Sequence, residues 1–203
     1  MDFKAKNFNY ETCGMRDLID KAAASSPPNG TMYYLRHVGE GKDARSVRPA
    51  LLHEDFPDLA PDFRLPPLFE PDRLFSSVLR VSSARLRVWT HYDVLDNVYC
   101  QVVGSKRAVL WAPDTALEMC KIGVETPREV LEISSIFFFA DLDGDKSRVV
   151  DIDAAENAEV FPKFCTAERH VADLIPGDVL FIPAMWFHNM TAQDFGVAVN
   201  VFW

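Results

Sequence analysis

From Phe75 to Trp203 the chain keeps returning to one pattern, a short run of β-branched and aromatic residues cut off by a turn signal. The runs "FSSVLRVS", "RLRVWTHYDV", "NVYCQVVG", "KRAVLWAP", "DVLFIPA" and "GVAVNVFW" suit a pleated, half-buried surface and are too short to be helices. Many short strands with few helices leave a sandwich, barrel or jelly roll as the architectures able to bury them. Gly104-Ser105, between two of the runs, predicts a two-residue hairpin. At 203 residues and 48% hydrophobic, the chain can bury one sizeable core, and 1–203 reads as a single domain.

The remainder is less regular. Met15, Leu18, Ile19 and Ala22 share one helical face, predicting a helix from about Thr12 to Ala24 that "SSPPNG" breaks. "TMYYLRHVG" predicts a short strand closed by glycine. Residues 56–71 hold Pro57, Pro61, Pro66, Pro67 and Pro71 and form an irregular connection. A short helix from Asp114 to about Lys121 is expected, with Asp114 as its cap and Gly123 as its stop. The acidic segment 141–159 reads as a solvated excursion, and "IFFFA" (136–140) as core. The apolar end "VNVFW" belongs in or beside the core, which calls for further chain or another cover over it.

Composition excludes several classes. No run of about 18 uncharged apolar residues appears, so no membrane-spanning helix is expected. "MDFKAKNFNYETCG" carries charges where a signal peptide needs an apolar centre, which points to an intracellular protein, cytoplasmic or nuclear. Cys13, Cys100, Cys120 and Cys165 form no CxxC pair, so reduced, mostly buried thiols are expected rather than a zinc or disulfide framework. A net charge of −9 weighs against a nucleic-acid partner. Against that, Arg80, Arg85, Arg87, Lys106 and Arg107 cluster in sequence and predict a basic rim.

The chemistry is concentrated in two places. In "WTHYDVLDN" His91 and Asp93 stand at i and i+2 of a strand, so both project to one face. Two polar groups on an apolar sheet are costly unless something binds them. "PGDVLFIPAMWFHN" then brings His188 just past a strand that Pro183 ends, with Trp186 and Phe187 holding it against the core. Two histidines and one carboxylate form the facial triad that favours Fe(II) and leaves three positions open. The competing readings are a hydrogen-bonded pair at an exposed strand end for His91 and Asp93, and a satisfied core histidine for His188; the combination outweighs both. Lys106 begins a strand with Ala108 and Leu110 on its own face; a lysine so placed either reaches water or binds an anion. Asn200 interrupts the apolar run from Val197 to Phe202, and a buried amide must find partners. His37, His53 and His170 read as surface or structural.

"THYDVLDNVYCQVVGSKR", "GDVLFIPAMWFHN" and "VNVFW" resemble the JmjC class of Fe(II)- and 2-oxoglutarate-dependent oxygenases. Within it, "MDFKAKNFNY", "YYLRHVG", "FSSVLRVSSARLRVWTHYDVLDN" and "IPAMWFHN" are most similar to the branch that hydroxylates wybutosine-type guanosine in phenylalanine tRNA. The resemblance covers nearly the whole chain and is weakest at 40–70 and 134–165. It implies a mainly β fold, a double-stranded β-helix (cupin-type jelly roll) with a few flanking helices. It also implies Fe(II) on His91, Asp93 and His188, with 2-oxoglutarate as co-substrate and O2 as oxidant. Lys106 and the Tyr34 hydroxyl would bind the far carboxylate of 2-oxoglutarate, and Asn97 and Asn200 would lie near its metal-bound end. Where some members have threonine three residues before the first metal histidine this chain has Val88, which makes Tyr34 more necessary. The resemblance further implies segments on both sides of this sequence that support a homodimer. tRNA is the expected substrate; a JmjC protein hydroxylase or histone demethylase, or a non-catalytic cupin-like binding domain, is the alternative.

Overall fold

The alternation of the sequence resolves into two antiparallel sheets laid face to face. The computed structural model describes residues 8–25, 30–40, 47–115, 121–122 and 143–203. Its strands are β1 (Tyr34–Arg36), β2 (Gly39–Glu40), β3 (Val47–Arg48), β4 (Ser76–Ser82), β5 (His91–Asp93), β6 (Asn97–Val103) and β7 (Lys106–Trp111). Then follow β8 (Lys121–Ile122), β9 (Asp143–Ser147), β10 (His170–Leu174), β11 (Val179–Ile182), β12 (Phe187–Ala192) and β13 (Gly196–Phe202). One sheet has the order β1-β4-β13-β6-β11, the other β10-β7-β12-β5-β9-β8, and β2 pairs with β3. The described helices are short: α1 (Met15–Ala23), α2 (Leu52–Asp55), α3 (Asn157–Val160) and α4 (Pro162–Thr166). This is mainly β with few helices, as the short strands predict, and of the sandwich, barrel and jelly roll they leave open it agrees with the jelly roll that the resemblance implies. Among the described residues no helix is long and apolar enough to cross a membrane.

Period-two alternation divides each strand between a chamber and a cover. Tyr99, Ala108, Leu110, Met190 and Ala198 meet between the sheets. Val109, Trp111 and Phe187 face outward and are roofed by Val149, Ile152 and Phe164. On the other sheet Leu79, Val199 and Val201 are covered by Leu52 and by Phe56, Phe63, Leu65 and Phe69 of the proline-rich connection. Phe69 also stacks on Trp203, with centroids 4.8 Å apart. Phe164 is fully buried and anchors the roof over β7 and β12. Phe164→Ala should therefore cost about 3–5 kcal/mol, read as a lower midpoint in urea with an unchanged slope.

Several expectations need correction. Gly104-Ser105 is no hairpin: β6 pairs with β11 and β13, while β7 pairs with β10 and β12. The turn carries the chain from one sheet to the other, because longer-range partners outcompete the local pairing. Gly104 has φ +71°, and a Cβ there would lie 2.0 Å from the Phe195 carbonyl oxygen, so only glycine fits. The acidic segment is docked rather than solvated. Its 143–147 portion pairs with β5, Val149 and Ile152 are buried, and Asp151 and Asp153 bind Arg87 and Arg107. Pro113–Thr115 forms one 3-10 turn and Lys121 lies in a strand, so the helix expected from Asp114 does not reach Lys121. Residues 116–120, Gly123 and the 136–140 run lie outside the described residues. Helix α1 buries only Leu18 and Ala22 and leaves Met15 and Ile19 exposed. Cys100 is buried, but Cys13 and Cys165 are exposed free thiols, so the described cysteines are not mostly buried.

Candidate metal centre

His91 and His188 are cross-strand partners in the β5–β12 ladder, and Asp93 lies two residues further along the same face of β5. Their ligand atoms all fall within 4.8 Å of one another, and all three residues are buried. His91 Nε2 is 3.9 Å from Asp93 Oδ1, and His188 Nε2 is 3.6 Å from Asp93 Oδ2. The two rings lie 4.4 Å apart between centroids. Each imidazole is aimed by the same local device. His91 Nδ1 donates to the Trp89 carbonyl at 2.9 Å, and His188 Nδ1 donates to the Trp186 carbonyl at 3.0 Å. A carbonyl only accepts, so Nδ1 carries a proton and Nε2 is the nitrogen turned to the centre, the orientation used by metal-binding histidines. This chemistry fits a divalent metal.

Supporting contacts fix the two ligand-bearing segments. Met185, at φ +68°, donates its backbone N–H to the Asp93 carbonyl at 2.8 Å. A left-handed non-glycine residue is strained, and here the strain ties the turn before His188 to the strand bearing Asp93. Asn189, next to His188 but facing outward, donates to the Val88 carbonyl and the Thr90 hydroxyl, each at 3.0 Å, which holds the approach to His91.

From Asp93 a chain of hydrogen bonds runs across the chamber. Asn97 Nδ2 donates to Asp93 Oδ2 at 3.2 Å, and Asn200 Nδ2 donates to Asn97 Oδ1 at 2.9 Å. Arg80 Nε donates to Asn200 Oδ1 at 2.5 Å, and Arg80 Nη1 donates to the Tyr34 hydroxyl. Lys106 is 5% exposed and so does not reach water; its ammonium lies 5.2 Å from the centroid of the Tyr99 ring. Burial first, and the Arg80 charge second, lower its pKa to about 7. Among the described residues no carboxylate pairs with it. The Tyr99 hydroxyl is buried without a hydrogen-bond partner among the described residues, and burial holds the phenol far above its ordinary range, so it stays a neutral donor. A buried cation beside an unpartnered hydroxyl is a site built for an anion.

The structure thus brings together His91, Asp93, His188, Asn97, Asn200, Tyr34 and Lys106, all seven residues singled out in the sequence. It adds Tyr99, which sequence reasoning missed, and Arg80, which it had assigned to a basic rim. Tyr99 had a signal, standing two residues after Asn97 on the same strand face. The expected basic rim is dispersed. Arg80 and Lys106 turn into the chamber, Arg87 binds Asp151, and Arg107 shares Asp153 with Arg169. His37 is buried 3.0 Å from Asp55 and His53 faces the Phe63 carbonyl at 3.1 Å, both structural contacts. His170 packs against Trp186 and helps to line an apolar cavity of about 290 Å³ with Leu110, Leu180, Phe181 and Pro183. That cavity borders the centre through Leu110, the cross-strand partner of His188, and contains none of its polar groups.

Comparison with known families matches residues 1–203 to the cupin-like domain. The chain belongs to the cupin-like domain family. Among curated relatives, it is 46% identical over 208 residues to tRNA wybutosine-synthesizing protein 5 of Danio rerio, covering 100% of this chain and 56% of that protein. The Homo sapiens protein of that name is 40% identical over 210 residues, with 58% of its length covered. tRNA wybutosine-synthesizing protein 4 of Gibberella zeae is 42% identical over 205 residues, which are 17% of its length. This cupin-like chain therefore spans somewhat more than half of the shorter relatives and a small part of the longer one.

Proposed function

We propose that the chain is an Fe(II)- and 2-oxoglutarate-dependent oxygenase, one catalytic domain over residues 1–203, acting inside the cell. Its proposed reaction is hydroxylation of wybutosine-type guanosine in phenylalanine tRNA. The observation that carries this reading is the buried cluster of His91, Asp93 and His188 at one end of a chamber whose other end holds Lys106. The three side chains would hold iron, and three protein ligands leave positions for the co-substrate and dioxygen. The far carboxylate of 2-oxoglutarate would meet Lys106, Tyr34 and Tyr99, while Asn97 and Asn200 would line its metal-bound end. When bound, iron and 2-oxoglutarate supply the oxidising chemistry: with O2 the keto acid becomes succinate and carbon dioxide, and one oxygen atom passes to a substrate C–H. The chain itself holds the ligand set, orients the anion and keeps water out of the apolar chamber.

The tRNA assignment is supported by the names of the relatives and by the resemblance at "YYLR" and "VWTHYDVLDN". The net charge of −9, with Arg87 and Arg107 tied to aspartates, favours a protein substrate instead. Two measurements decide between them. Anaerobic addition of Fe(II) and 2-oxoglutarate should give the weak visible charge-transfer band of such chelates; no band points to a non-catalytic binding domain. Incubation with tRNA from cells lacking the modification should then add one oxygen to the wybutosine nucleoside, read by mass spectrometry. An unmodified nucleoside, with 2-oxoglutarate turnover stimulated by a peptide or histone, would reject the tRNA substrate.

A further inference from the structure

Arg80 belongs to neither the ligand set nor the anion pocket, yet it is bonded towards both. It stands on β4 opposite Ala198 of β13, half-buried, with Nε on Asn200 Oδ1 and Nη1 on the Tyr34 hydroxyl. A guanidinium has donors and no acceptor, so both contacts run one way. Asn200 must turn Oδ1 to Arg80 and therefore Nδ2 to Asn97. Asn97 must then turn Nδ2 to Asp93. Bonds aligned in this sense polarise one another. On the other arm, the Tyr34 oxygen is occupied as an acceptor, so its own proton is left to be donated elsewhere.

We propose that Arg80 is a positioning residue that ties the metal-binding carboxylate to the anion-binding end of the chamber. One arm orders the Asn200–Asn97–Asp93 chain, and the other turns the Tyr34 proton towards the incoming anion. This rests on reading the site as a metal and 2-oxoglutarate centre. The charge of Arg80 has a second effect, because it helps burial to lower the pKa of Lys106. Around Lys106 stand the Tyr99 ring from β6, Arg80 from β4 with Tyr34 from β1 behind it, and the apolar Leu174 and Ala192 on the two flanking strands. Arg80 is the charged neighbour in that set.

The test compares wild type, Arg80→Met and Arg80→Lys by three measurements. These are the melting midpoint, anaerobic Fe(II) and Co(II) affinity by equilibrium dialysis, and calorimetric 2-oxoglutarate affinity from pH 6 to 9. Arg80→Met should weaken metal binding by about tenfold, as for loss of a group supporting the ligands. It should weaken 2-oxoglutarate by a comparable factor and move the alkaline fall of that affinity to higher pH. Arg80→Lys should restore the pH limb, because it keeps the charge. It should not restore metal affinity, because an ammonium cannot span two diverging acceptors as the planar fork does. If Arg80→Met does not fold, Asn200→Leu cuts the amide arm alone and should lower metal affinity while leaving the pH limb in place. Unchanged metal affinity in the folded variants, or losses that merely track the melting midpoint, overturn the proposal. A wild type that binds metal but not 2-oxoglutarate rejects the oxygenase reading and leaves the metal measurement to decide the role of Arg80. A wild type that binds no divalent metal rejects both.

Discussion

Asp93→Ala should abolish divalent-metal binding while leaving the protein folded. Asp93 is 5% exposed, with one oxygen 3.9 Å from His91 Nε2 and the other 3.6 Å from His188 Nε2. Without it, two imidazoles remain, with no anionic oxygen to offset the charge of the metal. Its contribution to folding is small by comparison, since β5 is held by backbone pairs to β9 and β12. Asp93→Asn is the sharper variant. It preserves volume and still offers an oxygen to Asn97, so a loss of metal there isolates the charge. The loss should exceed the roughly ten- to hundredfold that follows removal of a supporting group, and Asn97→Ala should fall within that smaller range. Anaerobic equilibrium dialysis with Fe(II) or Co(II), alongside circular dichroism, reads both. Wild-type affinity in Asp93→Asn would mean that the cluster is a structural hydrogen-bond group and no metal centre.

The ligand set was legible because its geometry is local. His91 and Asp93 share a face through the period-two rule alone, and the proline and aromatics before His188 mark where a strand restarts. Their meeting was not legible from spacing. It depends on β12 lying beside β5, a pairing between segments about a hundred residues apart. The same non-local competition defeated the Gly104-Ser105 hairpin, since a good turn signal does not say which sheet the next strand joins. Arg80 was hidden for a related reason. On β4 it shares a face with Val78 and Ser82, and nothing in "VLRVS" distinguishes a solvated arginine from one that points into a chamber. The amide of Asn200 from β13 and the hydroxyl of Tyr34 from β1 accept from it there. The acidic segment misled for the opposite reason: its charge pattern reads as solvated, while its buried Val149 and Ile152 help to form the apolar roof.

Lys106→Met should make the ligand-free protein more stable and its anion site far weaker. The pKa of Lys106 is about 7 in the folded chain against an ordinary 10.5. Between those values the unfolded chain holds a proton that the folded chain releases, so stability rises with pH across the window. The slope is at most about 1.4 kcal/mol per pH unit. As pH falls through 7 that advantage is lost, because the folded lysine must then also carry its charge in the interior. Methionine removes this dependence, so the variant should gain most at pH 6 to 7, with roughly 2–4 °C in the melting midpoint per kcal/mol recovered. Anion binding has the opposite sign. A carboxylate needs the charged ammonium, so wild-type affinity for 2-oxoglutarate should fall as pH rises above about 7, by up to about tenfold per unit. Lys106→Met should flatten that fall and lower the affinity at pH 6.5 by about ten- to hundredfold, equivalent to losing a hydrogen bond to a charged group of about 1.5–3 kcal/mol. Melting curves and calorimetry from pH 6 to 9 test both halves on the same samples. A variant less stable than wild type at pH 6.5, with unchanged 2-oxoglutarate affinity, would show that Lys106 is a packing residue and that the anion lies elsewhere. A gain in stability together with a loss of affinity would identify Lys106 as a charge kept buried, at a cost to folding, for the ligand it receives.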